Sequence, residues 1–112
     1  DRDYINYTND KRLEGLTLIQ IPRHYIKNIK LDVFDDIIIY RILCEKNNNK
    51  IYQNWEKLDF TLAIIGDQCV HTEIVRKKFK KGVVKMKAGG PKSSDPIFID
   101  NLSRTEQKFK IL

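Results

Sequence analysis

At 112 residues, with 41% hydrophobic and 32% charged side chains, the chain is sized and composed for one folded domain, which excludes wholesale disorder. No apolar run approaches the roughly 20 residues that cross a bilayer as a helix, and no signal-peptide pattern opens the sequence, so no membrane partner is expected. The net charge of +6 is uneven: residues 1–75 hold 10 basic and 12 acidic side chains, residues 76–112 hold 11 and 3.

Residues 1–14, "DRDYINYTNDKRLE", lack a clean period and read as a polar arm or edge segment, with 15–112 as a single domain. Beginning at Asp1, the chain is expected to be a fragment or a processed product. There follow "GLTLIQI", "YIKNIKLDV", "DIIIYRILCE", "KIYQNW", "LDFTLAIIG", "CVHTEIVR", "GVVKMKA", "PIFID" and "KFKIL". Turn residues separate these runs, and β-branched and aromatic residues fill them, as strands prefer. Only "LSRTEQKFKIL" offers a helical stripe, and a short one. About eight strands in a chain of this length predict an all-β fold, an eight-stranded antiparallel β-sandwich.

Period-two alternation assigns the faces. Leu58, Phe60, Leu62 and Ile64 make one apolar row, and Val84, Met86 and Ala88 another, with Lys85 and Lys87 opposite. In "DIIIYRILC" both rows are apolar. Ile38, Tyr40, Ile42 and Cys44 are assigned to the core, which leaves Ile37, Ile39 and Leu43 on the other face. A strand dry on both sides needs a second cover. That cover is expected to be another copy of the chain, giving a homo-oligomer with Ile37, Ile39 and Leu43 at its interface; the competing cover is the arm of residues 1–14.

The segment 82–101, "GVVKMKAGGPKSSDPIFIDN", holds glycines, a lysine and serines that suggest a phosphate loop. Such a loop needs G-x-x-x-x-G-K-[ST] opening a helix. Here Pro91 stands at the second glycine, Met86 at the first, and a strand-like run follows, so a wide hairpin connection is expected instead. Cys44 and Cys69 sit in strand-like runs without C-x-x-C partners, and His24 and His71 have no metal-ligand spacing. Free buried thiols in a reducing, intracellular setting are expected, with no metal and no cofactor. Asp35 and Asp36 are adjacent in a turn, and no acid pair or nucleophile set is complete. Neither an enzyme nor a small-molecule substrate is therefore expected.

Once the strands are placed, "FKKGVVKMKAGG" followed by "DPIFIDN" is similar to the last hairpin of the nucleoplasmin-like fold. "LEGLTLIQI" resembles that family's first strand, and "IKLDVFDDIIIYRILCEK" its second strand, acidic turn and long third strand. "LDFTLAIIGDQCVHTEIVRKKF" resembles the corresponding part of the N-terminal domains of nucleolar prolyl isomerases. Over residues 14–102 the resemblance implies a jelly-roll sandwich, assembly as a homo-oligomer such as a pentamer, and a nuclear, chromatin-associated setting. The chain departs from the family in its longer "KSSD" turn and in lacking the acidic tracts that bind histones.

Seven of the twelve residues in 76–87 are basic: Arg76, Lys77, Lys78, Lys80, Lys81, Lys85 and Lys87. This stripe is the expected docking surface for an acidic partner, either a protein segment or nucleic acid. The leading expectation is a non-enzymatic oligomerisation and protein-interaction domain. The alternative is an oligonucleotide-binding (OB) barrel that binds single-stranded nucleic acid, with Tyr52 and Trp55 stacking on bases.

Overall fold

The computed structural model describes residues 6–7, 16–19, 28–43, 52–62, 64–65, 72–87, 97–100 and 108–112. For 6–7, 59–62, 64–65 and 72 the description is of the backbone alone. Cys44, Cys69, His24, His71 and the loop 88–96 lie outside it.

The described residues contain no helix and ten strands: β1 (Asn6–Tyr7), β2 (Thr17–Ile19), β3 (Asn28–Val33), β4 (Ile37–Leu43), β5 (Glu56–Leu62), β6 (Ile64–Ile65), β7 (Thr72–Phe79), β8 (Gly82–Lys87), β9 (Ile97–Asp100) and β10 (Phe109–Ile111). The helix candidate near the C-terminus thus ends in a strand, because Phe109 is needed in the core and Lys110 outside it. All pairings are antiparallel, as expected from strands that alternate apolar and polar residues. One sheet runs β2-β9-β4-β7-β5, a second β10-β3-β8, and β1 pairs with β6 separately. The fold is an all-β sandwich rather than a closed five-stranded barrel.

One ribbon builds both layers. β3 pairs with β8 in the three-stranded sheet, and the same two chain segments continue as β4 paired with β7 in the five-stranded sheet. Val33 lies opposite Gly82 at the end of one ladder, and Ile37 opposite Phe79 at the start of the next. Between them stand residues 34–36 on one side and only 80–81 on the other, an unequal count that bends the ribbon as a bulge does. The bend also shifts which side chains face inward. Odd residues Val75 and Phe79 serve β7, whereas even residues Val84 and Met86 serve β8. Gly82 sits at this corner with φ +142°, a backbone that other residues rarely adopt, although a Cβ there would meet nothing within 4 Å. Gly82→Ala should therefore lower unfolding stability by about 1–2 kcal/mol in urea titration through backbone strain alone.

The facing corner carries the acidic turn. Asp35 accepts the Asp36 backbone N–H at 2.8 Å and a hydrogen bond from Lys108 Nζ at 3.2 Å. The backbone bond first, then Lys108, holds its carboxyl below the usual value of 3.8. A carboxyl depressed on folding adds stability above its unfolded value and loses it as pH falls through the folded one. Thermal midpoints should drop below about pH 4, and Asp35→Asn should make that drop shallower.

The core lies between the sheets. Ile29, Leu31, Val33, Val84, Met86 and Phe109 meet Ile19, Ile37, Ile39, Ile97 and Ile99. This reverses the expected faces of β4. Ile37 and Ile39 are fully buried in the sandwich core, and Leu43 packs with Tyr52 and Val75, so the row expected at an oligomer interface closes this chain's own core. Ile38 and Tyr40 are the half-buried outer residues. With both rows apolar, alternation carried no sign. On the outer face Ile42 and its cross-strand partner Ile74 are also fully buried. β4 is thus dry on both sides there.

The expected hairpin of "GVVKMKA" with "PIFID" does not form. β8 pairs with β3, and β9 with β4 and β2, in different sheets. The glycine- and proline-containing segment between them therefore links strands of different sheets.

Candidate ligand-binding cleft

The run "KIYQNW" is not the expected strand. Residues 52–55 form a turn, closed by the Trp55 N–H donating to the Tyr52 carbonyl at 3.1 Å. Gln53 and Asn54 occupy its exposed middle, where polar residues that tolerate turn geometry belong. The turn brings Tyr52 and Trp55 together, ring centroids 5.3 Å apart and nearly perpendicular. Trp55 also meets Phe79 of β7 at 5.6 Å. Such edge-to-face pairs add about 0.5–1.5 kcal/mol each beyond the area they bury.

These rings wall a cleft of about 500 Å³, lined by Arg41, Tyr52, Trp55, Lys77, Phe79, Lys85, Met86 and Lys87. It opens beside β8, an outer strand of its sheet, and against the inward face of β7. Four of the eight lining residues are cationic and none is acidic. Arg41 projects from the inward row of β4 and is fully buried. Its Nη1 donates to the Lys87 carbonyl at 3.0 Å, and its guanidinium carbon lies 5.5 Å from the Tyr52 ring centre. Arg41 thereby ties β8 of one sheet to β4 of the other. Since the Lys87 carbonyl turns toward Arg41, this backbone edge of β8 faces the cleft rather than β3. Lys77 shares the inward row with Phe79, is half-buried, and holds its Nζ 5.5 Å from that ring's centre.

The basic stripe is split by this geometry. Arg76 and Lys78 point to the opposite face of β7, where Glu56 and Asp36 pair with them. The hydrogen bond that Arg76 Nε donates to Glu56, followed by its hydrogen bond with Tyr40, raises the Arg76 pKa further. Lys80 and Lys81 form the exposed corner. Lys77, Lys85 and Lys87 reach the cleft, and none of them has a salt bridge among the described residues. The stripe, expected to act as one surface, is thus divided between two faces of β7, the corner and β8.

Arg41 and Phe79 were missed as site residues. The signal for Arg41 was its parity, since it shares a row with Ile37, Ile39 and Leu43 and must point where they point. Compared with family models, with curated proteins and with solved structures, the chain matches none. Its function is therefore read from its own residues.

Proposed function

We propose that this domain is a non-enzymatic binding module that docks an acidic partner in the cleft between β7, β8 and the 52–55 turn. One observation carries the proposal: Lys77, Lys85 and Lys87 all border a cleft with no carboxylate in its lining. Lysines on an outer strand also guard against edge-to-edge aggregation, and that alone could account for Lys85 and Lys87. It does not account for Lys77, which points inward from β7, opposite Ile39 in the ladder. Concentrated like charge in a partly enclosed site raises the local potential and draws anions, an attraction that salt screens.

The expected oligomer plays no part in this proposal, because the residues that suggested its interface are used within the chain. Binding of the domain to fluorescent single-stranded oligonucleotide and poly-glutamate probes tests the proposal. At least one probe should bind, with affinity falling as salt rises. Lys85→Gln combined with Lys87→Gln, at two exposed positions, should leave the thermal midpoint nearly unchanged and weaken binding about tenfold or more. Absence of salt-dependent binding to either probe, or equal binding by the variant, would refute it.

A further inference from the structure

We infer that the cleft receives one base of a single-stranded nucleic acid, with the adjoining phosphates on Lys85, Lys87 and Lys30. The inference rests on the acidic-partner reading above and narrows it. An acidic peptide would need the cations only and would gain little from three aromatic residues around them. A nucleic-acid strand uses both, because every base has a π-face to stack and every linkage a charge to neutralise. Lys77 and Arg41 already lie over the Phe79 and Tyr52 rings, which leaves the half-buried Trp55 indole as the platform for a base.

Size and surroundings point the same way. About 500 Å³ lies within the range of pockets that hold a small planar group, so the rest of a polymer must run outside. Outside, on the exposed face of the three-stranded sheet, Lys30 stands directly opposite Lys85, and Asn28 opposite Lys87. Like charges directly opposite each other weaken a sheet, and a phosphate between them removes the penalty. Lys85 and Lys87 are about 6.7 Å apart along the strand, near the phosphate-to-phosphate step of an extended single strand. A duplex keeps its bases stacked and paired, and would have to surrender one to enter.

The chain has a single tryptophan, so intrinsic fluorescence reports on Trp55 directly. The probes are a twelve-residue oligothymidylate, an abasic strand of equal length and charge, a duplex of equal length and a poly-glutamate peptide. Oligothymidylate should quench Trp55 and bind at least tenfold more tightly than the abasic strand or the duplex. Trp55→Leu, which keeps an apolar group against Tyr52 and Phe79, should cost between about fivefold and a hundredfold in oligothymidylate affinity. Lys30→Gln, at an exposed position, should weaken oligothymidylate and abasic strand alike. Equal binding of the abasic strand, or tight binding of poly-glutamate alone, overturns the base-in-cleft inference while sustaining the acidic-partner reading. Binding of none of the four overturns both.

Discussion

Ile39→Asp should abolish cooperative folding of the isolated chain. Ile39 is fully buried between the sheets, facing Ile99 across β9 and Lys77 across β7. Removing it forfeits roughly 1.5–3 kcal/mol of burial, and an unpaired carboxylate in its place costs several kcal/mol more. The sum, about 5 kcal/mol or more, rivals the whole stability of a domain this size. An interface position would behave otherwise: the substitution would release folded, smaller species with an intact β-sheet signature. Far-UV circular dichroism and urea titration separate the outcomes, and Ile38→Asp on the half-buried outer face serves as the control. That control should cost only about 1–2 kcal/mol and leave a sharp transition. A folded Ile39→Asp chain of reduced mass would return this row to the surface.

The contrast shows what the sequence could and could not specify. Strand positions were legible wherever one face was polar. In β8, Lys85 and Lys87 alternate with Val84 and Met86, and their exposure follows that alternation. In β4 both rows are apolar, and period two cannot say which row meets the second sheet. Pairing was less legible still, since ladder partners are fixed by layers and not by adjacency. The runs flanking the 88–96 loop are neighbours in sequence yet belong to different sheets. The site was legible as composition only. Tyr52, Trp55, Lys77, Lys85 and Lys87 were each singled out, but nothing in their spacing showed that they line one cleft. Alternation in β7 turns Lys77 to the inward face and Arg76 and Lys78 away from it, while the unequal corner puts the inward row of β8 on even residues and leaves Lys85 and Lys87 exposed. A run of basic residues carries no mark of where such a corner falls, so its members looked equivalent.

Their inequivalence gives the second large effect. Reversing Lys77, Lys85 and Lys87 to Glu should lower affinity for oligothymidylate by more than about a hundredfold. Reversing Lys78, Lys80 and Lys81 should change it by less than about fivefold. The two triple variants carry the same net charge, so long-range attraction falls equally in both and only position differs. Near the cleft, reversing Lys85 and Lys87 removes two phosphate contacts, and all three reversals add a repulsion at close range. The salt dependence is a second readout. Each contact with a single strand contributes about −0.7 to the slope of log affinity against log salt, so losing the two at Lys85 and Lys87 flattens it by about 1.4. The Lys78, Lys80 and Lys81 variant gives up the Asp36 pair and little else, at a site more than a third exposed on both sides, so its folding stability should move by under about 1 kcal/mol. Equal losses in the two variants would mean that net charge, not the cleft, governs binding, and the cleft would then be only the place where the sandwich leaves its inward face uncovered.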